Sequence, residues 1–383
     1  MPAPPAPATT VCPAAGAQST AMPADTPVAR VQPVAAARAA RGTLRFTRAR
    51  TRWRAQQVDA SDNFNDVDAT FDARGALHVA GRGAFRHGVT YWGPAGKRAI
   101  EATNDQGSVA IAAVGTTPVV GYGMDHPESA GGRLVSCDVL KLAAGPGLTP
   151  TAVYAHAQDD TAFFFSDLAA DPATNAVHAI YEVGRSAPAL AYRRLGAAPE
   201  RLPLSGGTLR QAQVAAAGDA VAVAARTDGG LVVFVRRGSG PFAAQPISAR
   251  AGTFDLAMGR DGRPRIAFVD GAGRLALFNG RRVVRSRTAV VGVAIAVDRR
   301  SRMHVAAAPT AQACHTTWIW ECTRGGLYHV RTTAAGTRGV VSTIQSTTGF
   351  APGRIAIAVH GTRVAVAYGD PAQGKALTVR RSG

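Results

Sequence analysis

The sequence predicts an all-β fold that is built from repeated four-stranded antiparallel sheets. The first observation is a recurring phrase, which reads DARGALHVAG at 72–81, DPATNAVHAIYE at 171–182 and DRRSRMHVAAA at 298–308. The second is that short Ala- and Val-rich runs alternate with turns that contain Gly or Asp, a pattern typical of antiparallel strands. The third is that no long stretch combines helical periodicity with capping residues. Together they favour an all-β repeat architecture.

The repeat can be followed along most of the chain by its turn residue, which precedes each apolar run. The aligned turn residues are Gly75, Gly115, Asn175, Gly218, Gly262, Ser301 and Gly361. They are separated by 39 to 60 residues, a spacing typical of the four-stranded blades of β-propellers. The sequence therefore predicts a seven-bladed β-propeller with four-stranded antiparallel blades, and six or eight blades are the alternatives.

The fifth unit shows the predicted blade most clearly. TFDLAMG, RIAFVD, RLALFN and RRVVRSR form four candidate strands, and RDGRP and GAG are two of the turns between them. The fourth unit repeats this order with RQAQVAAA, AVAVAAR, LVVFVRR and FAAQPISA. Strands that are apolar on both faces are expected where each sheet lies between two neighbouring sheets.

The two ends of the repeat array predict how the last blade is completed. ALTVRRSG (376–383) is only the third strand of the seventh unit, and TRWRAQQVDA (51–60) is an outer strand without partners in its own unit. We expect the N-terminal strand to complete the last blade, because such closure removes exposed sheet edges. The propeller is predicted to span 43–383.

The first 42 residues have a different composition. They are rich in Pro and Ala, which predicts a linker or disordered arm. They lack the basic start and apolar centre of a signal peptide, so a secreted form would have lost its signal or carry it outside this chain. No apolar stretch approaches the roughly 18–20 residues that a membrane-spanning helix needs, so we expect no membrane span.

The chain is strongly basic, with a formal net charge of +18 that comes mainly from arginine. Such a protein attracts polyanions, but no run of five or six basic residues occurs, and scattered charge is typical of solvated surface. No basic stretch carries the interleaved aromatic residues of a single-strand platform. We therefore expect no sequence-specific nucleic-acid partner. The expected oligomeric state is a monomer.

Cysteine usage points to an oxidising compartment. None of the four cysteines has the C-x-x-C spacing of a zinc site. Cys314 and Cys322 bracket CHTTWIWEC, a short loop that a disulfide could close, while the pairing of Cys12 and Cys137 stays open. The expected location is extracellular or at the cell surface.

Candidate ligand-binding residues lie in loops that propeller geometry places on one face. We define the leading face as the one at which each innermost strand begins, and the trailing face as the opposite one. Ligands on such wheels usually gather at the leading face, by fold analogy. The acidic candidates there are Asp62, Asp66, Asp105, Asp159 and Asp160, with Asp125 and His126 in a second-to-third strand loop. These side chains could bind Ca²⁺ or sugar hydroxyls, or they could simply form turns. No other metal site or cofactor is expected.

The trailing face is predicted to be basic. Its turns between first and second strands carry Arg74, Arg260, Arg263, Arg299, Arg300, Arg302 and Arg363. An acidic polymer bound to this face is a third functional hypothesis.

The largest insertion, PTAQACHTTWIWECTRGG (309–326), belongs to the leading face of the sixth unit. It contains His315, Trp318, Trp320 and the candidate disulfide. Exposed tryptophans in a stapled loop can stack on a sugar ring, and a disulfide would reduce the ordering cost of binding. Alternatively, both tryptophans pack the loop onto the propeller.

The phrases DARGALHVAG, DPATNAVHAIY, GRPRIAFVD and GTRVAVAYGD resemble those of bacterial seven-bladed β-propeller repeat proteins that are loosely sialidase-like. The resemblance covers 51–383 and implies a propeller without specifying an activity. Asp-boxes of the form S-x-D-x-G-x-T-W are absent from the sequence, which puts sialidase activity in doubt.

The sequence favours a non-enzymatic binding propeller that engages a glycan or a surface protein through its leading face. A carbohydrate-active enzyme, either a polysaccharide lyase or a glycoside hydrolase, is the alternative. The catalytic motifs G-x-S-x-G and H-E-x-x-H are absent. The repeated His78, His178 and His304 align with Val221, Pro118 and Val364 in other units, which indicates a structural role.

Overall fold

The computed structural model describes residues 27–59, 64–83, 88–101, 108–130, 133–145, 147–158, 165–183, 189–309, 314–317, 319–322, 325–347, 354–370 and 376–382. In these ranges the fold is all-β and contains no helix. The strands are β1 (Val31–Pro33), β2 (Arg38–Thr43), β3 (Arg45–Arg48), β4 (Trp53–Asp59), β5 (Phe64–Phe71), β6 (Leu77–Gly83), β7 (Val89–Gly93), β8 (Gly96–Ala99), β9 (Val109–Val114), β10 (Thr117–Ala130), β11 (Arg133–Ala144), β12 (Thr149–Gln158), β13 (Phe165–Ala170), β14 (Val177–Val183), β15 (Ala189–Arg194), β16 (Glu200–Leu202), β17 (Leu209–Ala217), β18 (Ala220–Thr227), β19 (Gly230–Arg237), β20 (Phe242–Ser248), β21 (Ala251–Met258), β22 (Pro264–Asp270), β23 (Arg274–Phe278), β24 (Arg282–Val297), β25 (Met303–Pro309), β26 (Cys314–Thr317), β27 (Ile319–Cys322), β28 (Gly325–Thr332), β29 (Arg338–Thr347), β30 (Ala356–His360), β31 (Arg363–Asp370) and β32 (Ala376–Ser382).

Consecutive strands pair as four-stranded antiparallel sheets, as predicted. In chain order, the first to fourth sheets contain β5–β8, β9–β12, β13–β16 and β17–β20. The fifth sheet contains β21–β24. The long β24 then continues as the first strand of the sixth sheet, followed by β25, β28 and β29. The last sheet contains β30–β32 and β4.

The aligned turn residues have a common conformation. All of them adopt positive φ, from 57° at Ser301 to 77° at Gly75. Glycine accepts this region without a steric cost, and Asn175 belongs to the residue types that tolerate it. The second strand of each sheet begins two residues after the aligned position. The repeat that was aligned on the sequence therefore corresponds to one local structure.

The core lies between adjacent sheets. One cluster combines Ala110 and Leu140 of the second sheet with Leu168 and Ala179 of the third. Another combines Val67 of the first sheet with Ala365 of the last. Because each sheet packs on both faces, its strands are apolar on both faces, as the sequence indicated.

The N-terminal segment runs along the outer edges of several sheets. Strands β1, β2 and β3 pair in parallel with β20, β24 and β29, the fourth strands of the fourth, fifth and sixth sheets. Part of the segment that its composition assigns to an arm (1–42) is thus hydrogen-bonded to sheets. Strand β4 pairs antiparallel with β32, with Trp53 opposite Ser382 and Asp59 opposite Leu377, which is the strand partnership that the sequence predicted.

Candidate functional site

The innermost strands surround a polar cavity of about 300 Å³. The first strands of several sheets contribute to its wall. Most of the lining side chains are small or aliphatic, such as Ala112 and Ile295. The charged residues in the wall are Asp68, Asp167, Asp255 and Arg354. We call this cavity the channel; its few charged groups stand among small and aliphatic side chains.

Three of the acids connect one sheet to the next. The Oδ2 atom of Asp68 accepts a hydrogen bond from the backbone N–H of Ile111 at 2.8 Å. Asp167 accepts one from Val214 N–H at 3.0 Å.

Asp255 accepts one from Ile295 N–H at 2.5 Å and a second from the Gln213 side-chain amide at 2.7 Å. In each of these cases the backbone donor belongs to the innermost strand of the following sheet. These carboxylates therefore fasten neighbouring sheets together around the channel.

Arg354 is the positive group among these acids. Its guanidinium nitrogens lie 3.7 Å from Asp66 Oδ1 and 3.6 Å from Asp167 Oδ1. One of them donates to the carbonyl of Val109 at 3.1 Å, and Asp66 Oδ2 accepts from Val109 N–H at 2.7 Å. The field of the surrounding carboxylates outweighs burial and raises the pKa of Arg354, so this side chain stays charged.

The channel acids have perturbed protonation equilibria. Burial raises the pKa of Asp167 to about 7, opposed by Arg354. Burial raises the pKa of Asp255 to about 6, opposed by the Ile295 N–H bond and by Arg354. Burial also raises the pKa of Asp68. Near neutral pH the channel can therefore take up or release protons.

The arrangement offers hydrogen-bond acceptors and exchangeable protons on its carboxylates. Among the described parts of the chain, no group of three or more His, Cys, Asp or Glu side chains could hold a metal ion. The same parts contain no helix long and apolar enough to cross a membrane. Because the carboxylates bind backbone amides, the wall is preorganised for binding.

The repeated histidines lie away from this channel, in a structural network. His78 Nδ1 is 2.6 Å from the Tyr91 hydroxyl, and His178 Nδ1 is 2.8 Å from the Tyr192 hydroxyl. His304 Nδ1 is 3.0 Å from His329 Nε2, and its Nε2 is 3.3 Å from Asp298 in the preceding turn.

In all three cases the partner comes from the third strand, two residues before the residue opposite the histidine. This supports the structural role that the sequence indicated.

Asp66 is placed differently from the sequence expectation. The sequence placed it in an exposed connecting loop, but it lies within β5, is 9% exposed and binds Val109 N–H. The start of the strand explains the difference, because β5 begins at Phe64, before Asp66 is reached.

The other predicted site residues are not brought together by described side chains. Asp62, Asp105, Asp159, Asp160 and Trp318 lie outside the described residues. Asp125 and His126 lie on β10, His315 on β26 and Trp320 on β27, and their side chains lie outside the description.

The backbone register of β26 and β27 sets Cys314 opposite Cys322 in a hairpin. This hairpin lies between the second and third strands of its sheet, as predicted. The disulfide itself stays a prediction, because both side chains lie outside the description.

Sequence reasoning missed the residues that line the channel. Asp68, Asp255 and Arg354 each stand seven positions before the aligned turn residue of their unit, and Asp167 stands eight positions before. A polar residue recurring at one position of otherwise apolar innermost strands is a signal that could have identified the channel wall. The interpretation instead concentrated on loops, where acids are common.

Comparisons with known proteins show similarity at the level of the fold. No protein-family model matches the chain. No curated protein matches it.

Several solved structures are similar. BBS1N, solved in complex with ARL6DN, superposes with a TM-score of 0.51 at 9% identity, covering 87% of this chain and 97% of that chain. A neuraminidase-like protein from A/bat/Guatemala gives 0.49 at 8% identity, covering 90% and 97%.

The sialidase of Trypanosoma rangeli gives 0.43 at 9% identity, covering 84% of this chain and 55% of that chain. The structural neighbours therefore include neuraminidase- and sialidase-like propellers, and the similarity concerns the fold alone.

Proposed function

We propose that this chain is a non-enzymatic, extracellular or cell-surface binding protein, built as a closed seven-bladed propeller. The pairing of β4 with β32 supports the closure, because it gives the last sheet its fourth strand. The cluster that contains Val67, Val79, Ala365 and Val379 supports it as well, because the last sheet packs on the first. Closure would leave no exposed face at either end of the array.

The observation that carries the binding role is that the channel carboxylates are already engaged. Asp68, Asp167 and Asp255 each accept a hydrogen bond from a backbone N–H of the next sheet through one carboxylate oxygen. The backbone bonds hold these carboxylates in place. Their unused lone pairs can then accept hydrogen bonds from the hydroxyl or amide groups of a ligand. The ligand we propose is a glycan, or a polar segment of a surface protein. It would enter from the leading face, where a second cavity of about 270 Å³ lined by Gln211, Thr253 and Val291 reaches Asp255 and Arg354.

The hairpin of β26 and β27 extends this surface. It projects from the second-to-third strand connection, so it belongs to the leading face. Trp320 and the neighbouring Trp318 would supply stacking area to a sugar ring, and a Cys314–Cys322 disulfide would hold the hairpin in one conformation.

A glycan array with purified protein tests this proposal. We expect the wild type to retain a small set of glycans, and the Trp318→Ala/Trp320→Ala variant and the Asp167→Asn variant to lose them. Asp219→Asn is the matched control for charge, because Asp219 is exposed in a trailing turn, away from the leading face. An array that retains no glycan, together with no capture of a polar surface peptide by the wild type, would contradict the proposal.

A carbohydrate-active enzyme is the second candidate, and one observation favours it. The pKa of Asp167 is raised to about 7 and that of Asp255 to about 6 by burial, which is the range that general acid and base catalysis uses. An enzyme of this kind should release reducing ends from an acidic polysaccharide, with rate changes near pH 6 and pH 7 that Asp167→Asn and Asp255→Asn remove. A flat, background rate across this range excludes it.

A further inference from the structure

Arginines stand side by side on the outer edges of three consecutive sheets. Arg38 of β2 is opposite Arg282 of β24, and Arg45 of β3 is opposite Arg338 of β29. Arg54 of β4 is opposite Arg381 of β32. Residues opposite each other in paired strands project from the same face of the sheet, so each pair brings two guanidinium groups together. We call these six residues the arginine rim.

The six side chains are exposed, and among the residues that the structure describes none of them has an acidic partner. Two acids of the fifth and sixth units are paired with other arginines. Asp270 contacts Arg285 at 3.5 Å, and Asp298 bonds to Arg302 at 2.6 Å within its own turn. Directly opposed like charges destabilise a pair of strands. The fold thus contains three pairs of opposed arginines, one at the outer edge of each of three consecutive sheets.

The three pairs lie at the same end of their sheets. Arg282 and Arg338 begin the fourth strands of the fifth and sixth sheets, directly after the connection from the third strand. Arg381 lies near the end of the third strand of the last sheet. Third strands run in the same direction as first strands, so all of these positions lie toward the trailing face. Exposed Arg299 and Arg363 in the trailing turns add to the same positive field.

We propose that the arginine rim is a binding site for a linear acidic polysaccharide, separate from the leading-face site. Carboxylate or sulfate groups placed between the two arginines of a pair would replace repulsion by charge-assisted hydrogen bonds. Repetition of the pair over three adjoining sheets fits a ligand that repeats its charge along its length.

The shape of this surface favours a flexible chain over a membrane or a nucleic acid. In the closed propeller proposed above, on which this argument depends, the outer edges of successive sheets follow a convex curve. A flat bilayer would contact only part of such a curve. Single-stranded nucleic acids are held by exposed aromatic platforms. Trp53 and Phe46 adjoin Arg54 and Arg45 in sequence, and both are partly buried, with Trp53 packed edge-on against His329.

The test compares charge-matched variants. The rim variant is Arg38→Gln/Arg45→Gln/Arg54→Gln. The control is Arg250→Gln/Arg274→Gln/Arg287→Gln, which removes the same charge from exposed arginines nearer the leading face. Binding of a heparin oligosaccharide and of polygalacturonate is measured by calorimetry at about 50 and about 200 mM salt, since bound polyanions release counterions.

We expect the wild type and the control to bind at least one of the two polymers, more weakly at high salt. We expect the rim variant to bind at least tenfold more weakly at low salt, and to melt at the same temperature as the wild type or higher, because repulsion has been removed. The stability measurement separates a lost site from a lost fold.

Equal losses in the rim variant and the control would overturn the proposal, because net charge alone would then explain binding. Absence of binding to both polymers would also overturn it. Tighter, rim-dependent binding of a thymidine oligonucleotide or of phosphatidylserine vesicles would assign the rim to a different class of partner. None of these results bears on the leading-face variants, so the two proposals can fail separately.

Discussion

At the scale of single residues, the channel acids have a structural role that their positions alone would not reveal. Asp68, Asp167 and Asp255 accept hydrogen bonds from backbone amides that start the next sheet. A backbone N–H in the wall of a narrow channel has little access to water, so the carboxylate satisfies a group that would otherwise be costly. These side chains hold neighbouring sheets in register as well as lining the channel.

Removing one of these carboxylates should lower the stability of the fold by a predictable amount. Asp255→Ala leaves both Ile295 N–H and the Gln213 amide without their acceptor, and each such loss costs about 1–3 kcal/mol. We expect the free energy of unfolding in urea to fall by about 2–6 kcal/mol, the sum of two such losses. The Asp255→Asn variant keeps one acceptor oxygen, so its free energy of unfolding should fall less than that of Asp255→Ala.

Asp228→Ala is the control, because an exposed ion pair contributes little to stability. A loss in Asp255→Ala no larger than in Asp228→Ala would show that the channel bonds do not fasten the sheets.

The structural histidines predict a pH dependence of stability. Burial, followed by the charge of Arg194, lowers the pKa of His178 to about 4. In the unfolded chain a histidine has a pKa of about 6.5. Between these values the unfolded state binds a proton that the folded state does not, so the free energy of unfolding falls as pH falls from about 6.5 to about 4.

We expect His178→Gln to remove one proton from this linkage, so the difference in stability between the variant and the wild type narrows toward pH 4. Urea unfolding of both proteins at several pH values measures this difference in the free energy of unfolding. A difference that stays constant between pH 7 and pH 4 would show that His178 titrates normally in the fold. The comparison also cancels the contribution of the channel acids, whose raised pKa values act in the opposite direction.

At the scale of elements, the parallel strands of the N-terminal segment are the feature that the sequence concealed. Strand β1 shows no alternation of apolar and polar residues, and its side chains are mostly exposed. It is held by main-chain bonds such as Val34 N–H to Ala244 and Ala37 N–H to Pro246, both at 2.8 Å. Backbone pairing leaves no mark on composition, which is why a Pro- and Ala-rich segment suggested an arm alone.

These strands cover sheet edges that would otherwise offer unpaired main-chain groups. Deletion of residues 1–48 should therefore expose the edges of β20, β24 and β29, and should also remove Leu44, which is 3% exposed in the core between the fifth and sixth sheets. We expect concentration-dependent self-association by light scattering and a lower melting temperature.

Deletion of residues 1–26 is the control, since β1, β2 and β3 remain. If both truncated proteins stay monodisperse with the same melting temperature as the full chain, edge protection by this segment is wrong.

At the scale of the whole molecule, the repeat allowed the sheets to be predicted, whereas the site required the structure. The turn residues, the strand order and the pairing of β4 with β32 follow from short-range patterns that recur. The channel wall depends on side chains from units far apart in sequence, such as Arg354 beside Asp66 and Asp167. The recurring polar position points to single side chains within their units, whereas the contacts between them depend on how the sheets are arranged.

The distribution of charge also appears only in three dimensions. Some of the acids lie in the channel, and others lie in the trailing turns, where Asp72, Asp171 and Asp298 bond to backbone amides. Many arginines are exposed, so the described exterior carries much of the positive charge. The polarity that the sequence suggested is therefore also radial, from a polar channel with acids to a basic rim.

The central claim is that the leading face binds its ligand without converting it. The most direct measurement is the mass of the best-retained array glycan after prolonged incubation with an equimolar amount of protein between pH 5 and pH 8, together with its calorimetric affinity. We expect reversible binding and a glycan recovered at its original mass. A glycan that is shortened or unsaturated by the wild type, and left intact by Asp167→Asn, would contradict it.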